Sequence, residues 1–256
     1  MLTAAFVLVT VGAAVWVGRT VRGPGSAPDR ALLVAWQLAA LSFLSAPETL
    51  VDERGEVVLQ VALGALGALA LVIRLVLLGR RGGGPGADLL LTPWLAAYGV
   101  VLLVAAVFSS QPDVAALRGL RAIVLFVVFG QAAAALDRVV LRQTFFQLSA
   151  GLAAVVAIGP LVAPDDAFQP LRAPVVRHAL RAPVIGSGPH IVAAIGFALV
   201  LAVAWRWFDG DRPAIGSRRG ALVVALPAAT GLLLVLASQK RAFWLALLVI
   251  GVAWLA

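Results

Sequence analysis

Along this chain the apolar positions form long unbroken runs and the polar positions gather in short clusters between them. The runs extend from Leu2 to Gly18, Ala31 to Ser45, Val57 to Leu78, Leu89 to Phe108, Ala122 to Leu136, Phe145 to Ala163, Ile191 to Phe208, Ala221 to Ser238 and Ala242 to Ala256. None alternates with period two, as barrel strands do over about ten residues. Backbone groups in lipid must be satisfied within their own segment, which continuous Leu, Ala and Val runs achieve as helices. A helical span takes about 20 mostly apolar residues, with a range of roughly 17 to 25, so the shorter runs draw on flanking residues. The expected fold is all-α, a polytopic transmembrane bundle of about 8–9 spans. Residues 1–256 are expected to form a single transmembrane domain, with 164–190 as its extracytoplasmic loop.

Composition agrees with the pattern. Of 256 residues, 62% are hydrophobic and 12% charged, with mean hydropathy +1.03, whereas soluble domains carry roughly a quarter charged residues. Cysteine is absent, which removes disulfide frameworks and thiolate metal sites. The first run has no positive segment before it, so it reads as a retained helix with its N-terminus outside and not as a secretory signal.

Charge gives the orientation. Arg19, Arg22, Arg30, Arg74, Arg80, Arg81, Arg138, Arg142, Arg206, Arg212, Arg218 and Arg219 fall around the odd loops. Arg54, Arg118, Arg121, Arg172, Arg177, Arg181, Lys240 and Arg241 fall around the even ones. The excess marks the odd loops as cytoplasmic, and their meeting with anionic headgroups explains much of the net charge of +8 without nucleic acid. The turns Arg80–Gly86 and Arg212–Arg219 read as solvated inner connectors. Arg74 and Arg206, about one turn inside their helix ends, read as anchors whose long side chains snorkel.

The outer face carries the candidate chemistry. Pro164 to His190 is the longest polar stretch and holds Asp165, Asp166, Arg172, Arg177, His178, Arg181 and His190; a loop beyond about 12 to 15 residues is usually functional or disordered. Arg177 and Arg181 are four apart and would share a face of a helical turn, and guanidinium groups suit forked contacts to phosphate. Gly186, Gly188 and Pro189 lead flexibly into the next helix, whose first amides could add to an anion site. Ser238-Gln-Lys-Arg241 is a very short turn between two apolar runs, so its cations stay near the headgroups. Arg118 and Arg121, three apart before the fifth helix, complete a basic surface of three outer turns. The bland alternative is an ordinary connector whose arginines face water or pair with Asp165 and Asp166. His178 and His190 lack a third ligand and make a poor zinc site, so no metal is expected.

Arg181-Ala182, then Pro189-His190 and Gly196, resembles the Arg-Ala...Asn-Pro-Asn...Gly segment of the O-antigen ligase and O-antigen polymerase superfamily. Ser238-Gln-Lys-Arg-Ala-Phe-Trp-Leu-Ala-Leu247 resembles that family's Thr-Gln-Ser-Arg-Gly-Ala-Leu-Leu-Ala-Leu segment at the family's separation. Gly188-Pro189-His190 stands where the family has Asn-Pro-Asn, and Lys240 replaces a serine. The resemblance implies a GT-C-like membrane glycosyltransferase of cell-surface polysaccharide biosynthesis, in a bacterial inner membrane, using glycans on undecaprenyl diphosphate at the periplasmic face. The acceptor would be a glycan, lipid A core or a protein, with neither nucleotide sugar nor cofactor. By the same resemblance Arg181 and Arg241 would hold the diphosphate leaving group. The family's proposed histidine base lies beyond the segment matched by Ala242 to Ala256, so the chain reads as the front portion of a longer protein with no base assigned. Two rivals stay open. A flippase-like or scaffold protein would bind a lipid diphosphate without chemistry. A small-solute transporter would show repeats, broken helices and buried ionisable groups, whereas the mid-spans here are nearly free of charge.

Overall fold

The computed structural model describes residues 1–42, 53–79, 92–109, 112–170, 178–186, 188–209 and 220–255. The described residues form an all-α protein: α1 (Leu2–Arg22), α2 (Ala27–Leu41), α3 (Glu53–Gly79), α4 (Thr92–Val107), α5 (Pro112–Ala135), α6 (Arg138–Val162), α7 (Pro189–Phe208), α8 (Leu226–Ala237) and α9 (Arg241–Leu255). A π-helical turn, Ala221–Ala225, leads into α8, where Pro227 has no N–H to close an ordinary turn. The exception to helix is a two-stranded antiparallel hairpin of β1 (Phe168–Pro170) and β2 (His178–Leu180). Among the described residues four helices are long and apolar enough to cross a membrane: α1, Gly55–Leu78 within α3, α6 and α7. Large apolar side chains such as Leu8, Val72, Leu161 and Leu233 lie on the surface, as lipid-facing residues do.

The chain divides into two compact units, Thr10–Leu141 and Met1–Val9 with Arg142–Ala256. In the first, α2 begins at Ser26, whose Oγ accepts from the Asp29 N–H and donates to the Asp29 carboxylate, closing the helix entry in the manner of an N-cap. The buried stripe of α3 runs through Gln60, Gly64, Gly67, Ala70 and Arg74, spaced three or four apart as one helix face requires. Small residues in its middle let backbones approach: a Cβ on Gly67 would lie 3.2 Å from the Ala35 carbonyl oxygen. Trp36 of α2 meets Phe129 of α5 edge-on, centroids 6.2 Å apart. Helices α4 and α5 are antiparallel, with Gly99 against Ile123 and Gly119 against Leu102.

In the second unit the core lies between α7 and α8. As residue numbers rise along α7 their partners fall along α8: Gly196 sits against Gly231, Leu234 and Val235, and Val200 against Gly231. The pair is antiparallel, so α7 begins at the end where α8 finishes. At the opposite end Arg142 of α6 pairs with Asp209 at 2.9 Å, and Phe145 meets Trp205 at 6.3 Å.

Several expectations need correction. Arg118 and Arg121 do not precede the fifth helix in a turn, because α5 starts at Pro112 and includes both. Proline at a first helical position, with its fixed φ and missing N–H, sets that earlier start. Arg74 does not snorkel: it is 5% exposed and donates from Nη1 to Gln131 Oε1 at 2.7 Å, because it belongs to the buried stripe. Arg206 stays partly exposed, and its guanidinium lies over the Phe146 ring, 4.6 Å from the centroid, in a cation–π contact. The turns Arg80–Gly86 and Arg212–Arg219, together with Arg172, Arg177 and Ser187, lie outside the described residues.

Candidate functional site

The stretch expected as a long loop carries regular structure. In the hairpin Phe168 pairs with Leu180, Gln169 with Ala179 and Pro170 with His178, and the Arg181 N–H donates to the Ala167 carbonyl at 2.8 Å, extending the ladder by one residue. The strand explains why Arg181 cannot share a helical face with Arg177: residues 178–180 are extended, and alternation by two replaces the helical spacing. Strand β2 packs on both α7 and α8.

After Arg181 the chain dives inward. Ala182, Pro183, Val184 and Ile185 are buried, with Pro183–Ile185 forming a 3-10 turn. Room for it comes from α6, where a Cβ on Gly159 would meet the Pro183 ring at 3.0 Å. Gly186 closes the turn at φ +57°, a left-handed conformation that favours glycine. Gly188 then caps α7, its carbonyl accepting from the Ile191 and Val192 N–H groups at 3.1 and 3.4 Å, and Pro189 supplies the first helical residue. His190 is exposed, with its ring over Gly188.

The corner between α8 and α9 is held by four hydrogen bonds that involve side chains. Ser238 is fully buried, and its Oγ donates to the Val235 carbonyl at 2.7 Å while accepting from the Lys240 N–H at 3.4 Å. The Trp244 indole donates to the same Val235 carbonyl at 3.0 Å. Gln239 has φ +57°, unusual for a residue with a side chain, and its Nε2 donates to the Leu236 carbonyl at 2.8 Å. Phe243 of α9 meets Phe197 of α7 edge-on at 5.7 Å. Helix α9 is thereby tied to both partners within its first turn, which fixes where the backbone of Arg241 stands.

The structure therefore brings part of the expected surface together. The hairpin end with Arg181, the α7 start with Gly186, Gly188, Pro189 and His190, and the corner from Ser238 to Arg241 belong to one end of the antiparallel α7–α8 pair. Arg118 and Arg121 belong to α5 in the other unit. Arg181 is half-buried, and among the described residues its guanidinium has no hydrogen-bond or ion-pair partner. Lys240 is exposed. The start of α7, a 20-residue helix, lies at the same end, and a helix N-terminus carries the positive pole of the helix dipole. No three His, Asp or Glu side chains gather into a metal-binding group among the described residues.

Sequence reasoning singled out Gly196 but missed its role as a helix contact, and it missed Gly231 and Trp244. A small residue inside a bulky apolar run was the available signal for Gly231. Nothing in the run marked Trp244 as a hydrogen-bond donor. Comparison with known proteins returned no match: no family model, no curated protein and no solved structure.

Proposed function

We propose that this protein is a membrane glycosyltransferase of cell-surface polysaccharide biosynthesis. It polymerises or ligates glycans carried on undecaprenyl diphosphate, and Arg181 and Arg241 hold the diphosphate. The observation that carries the reading is the half-buried Arg181 guanidinium, which has no partner among the described residues, at the end of α7 and α8 where the Ser238–Arg241 corner also stands. A preorganised guanidinium that need not first break a protein contact is suited to a departing diphosphate. In this reading the chain has eight to nine spans of a GT-C-like bundle in a bacterial inner membrane. The hairpin and the Ser238 corner face the periplasm.

The test is glycan transfer and lipid-diphosphate binding by the intact protein carrying Arg181→Lys, Arg241→Lys or the inner-loop control Arg218→Lys. Charge-assisted contacts are worth roughly 1.5 to 3 kcal/mol each, so losing one fork weakens binding by about tenfold or more. Lysine rescues poorly because it keeps the charge and loses the fork. Wild-type binding and transfer in the first two variants would sink the proposal. Loss of binding with no transfer by the wild-type protein would favour a non-enzymatic carrier-binding protein built on the same arginines.

A further inference from the structure

Arg74 lies in the unit that does not contain Arg181. Helix α3 is one of the four able to cross a membrane, and Arg74 sits in its buried stripe, 5% exposed. Its guanidinium makes one hydrogen bond among the described residues, from Nη1 to the neutral Gln131 Oε1, and Nε is buried without any acceptor. The Gln131 amide nitrogen, turned away from the oxygen that faces Arg74, donates to no described residue.

A charge removed from water is stable only when paired and hydrogen-bonded. Asp29 is near enough to act on Arg74 electrostatically, but its carboxylate accepts from Ser26 Oγ and forms no ion pair with Arg74. The guanidinium thus has several donors, a neutral neighbour with further donors, and no bonded anion among the described residues.

The surroundings favour a negative partner. Helices α3 and α5 run parallel, since Arg74 late in α3 bonds Gln131 late in α5 while the earlier residues Gln60 to Ala68 of α3 and Leu117 to Val124 of α5 line a shared groove. Arg74 and Gln131 therefore mark the same end of both helices, the end at which Arg80 and Arg81 follow α3 in sequence. The α1–α2 turn, near Asp29, adds Arg19 and Arg22, both exposed, and Arg30, whose Nη1 donates to the Gly23 and Gly25 carbonyls at 3.3 and 2.8 Å. Arg30 is thus already bonded to backbone, whereas Arg74 has Nη2 left for a ligand.

We propose that Arg74 and Gln131 form a phosphate-binding site at the basic end of the α2–α3–α5 packing, accepting the phosphate of an anionic lipid headgroup or a free phosphate ion. A tetrahedral oxyanion can accept from Nη2 of the guanidinium and from the Gln131 amide together.

The experiment compares wild type, Arg74→Met, Arg74→Gln and the rim control Arg22→Gln, each as the whole chain in nanodiscs. The three media are phosphatidylcholine, phosphatidylcholine with phosphatidylglycerol, and phosphatidylcholine with inorganic phosphate. Unfolding midpoints are followed by tryptophan fluorescence, and retained phosphatidylglycerol by native mass spectrometry. In phosphatidylcholine alone Arg74→Met and Arg74→Gln should be at least as stable as wild type, because each removes a buried charge without a bonded anion. With phosphatidylglycerol or inorganic phosphate added, wild type and Arg22→Gln should rise above both variants. Retention should fall about tenfold in the Arg74 variants, the loss of one charge-assisted contact. A rise with phosphatidylglycerol alone assigns the headgroup, and a rise with inorganic phosphate as well assigns the free ion. An equal rise in all four proteins, no rise in wild type, or Arg74 variants that unfold in phosphatidylcholine would each overturn the proposal, the last by making Arg74 a structural brace.

Discussion

Gly196→Ala is the sharpest test of how the second unit is built. An alanine Cβ there would stand 2.6 Å from the Gly231 carbonyl oxygen, 2.8 Å from Leu234 Cβ and 3.0 Å from the Val235 nitrogen. Ordinary contact begins at 3.4 Å, so the shortfall is 3.4 − 2.6 = 0.8 Å. Two of those atoms are backbone and cannot rotate aside, so the helices must part. A gap of 0.5–1 Å forfeits at least a quarter of the dispersion well, and a Leu-sized side chain makes about 40–60 contacts of roughly 0.1–0.2 kcal/mol, so the loss is on the order of 2 kcal/mol. That matches the usual overpacking cost of roughly 1–3 kcal/mol. Alanine's better helix propensity returns about 0.8–1 kcal/mol, leaving a net destabilisation of about 1 kcal/mol. Gly12→Ala and Gly151→Ala, with nothing within 4 Å, should gain up to about 1 kcal/mol. Gly99→Ala should fall between, since its Cβ would meet the Ile123 side chain at 2.6 Å and that chain can turn. Denaturation of the purified variants, read by tryptophan fluorescence, ranks them. Gly196→Ala as stable as Gly151→Ala would refute the close crossing.

Other changes test single contacts. Arg142→Met or Asp209→Leu alone should cost about 3–5 kcal/mol by stranding a buried charge, while the double variant should recover most of it, because the pair at 2.9 Å is mostly buried; a double-mutant cycle on unfolding decides. Trp244→Phe keeps the ring but loses the indole bond to Val235 and should cost about 0.5–1.5 kcal/mol in the same unfolding assay. Gln239→Gly should stabilise by relieving a left-handed residue worth roughly 1–2 kcal/mol, less the exposed amide bond to Leu236, whereas Gln239→Val should destabilise; a lower midpoint for the glycine variant would contradict this. Asp166→Cys, exposed beyond α6, should react with an impermeant maleimide from outside the cell, and labelling only after permeabilisation would invert the proposed topology.

The helices were legible because the apolar runs are long: each of the nine runs corresponds to a helix among the described residues, although only four of those helices meet the length and hydropathy needed to cross a membrane. What composition could not reveal was which face of each run is buried. Arg74 looked like an anchor because its distance from the helix end was visible, whereas its place in the Gln60–Gly64–Gly67 stripe depends on contact with α2. The apolar run of α5 begins only at Ala122, after Arg118 and Arg121, yet a helix carries charges readily when hydrogen bonding and a proline start favour the earlier turn. The hairpin was hidden by its brevity, three residues in each strand, too short for alternation to register. Within the site, Arg181 and the Ser238 corner were legible as chemistry. Their shared end followed only from the antiparallel glycine crossing.

That crossing bears on how the protein responds to bilayer thickness. Helices that touch through side chains can slide or splay when the hydrocarbon layer thins, but α7 and α8 meet at Gly196 and Gly231, where backbone lies against backbone. Mismatch is then relieved by tilting the pair as a single rod and not by shearing one helix past the other. The Arg181 turn and the Ser238 corner would sink or rise together, so their depth relative to each other would stay constant across membranes of different lipid content.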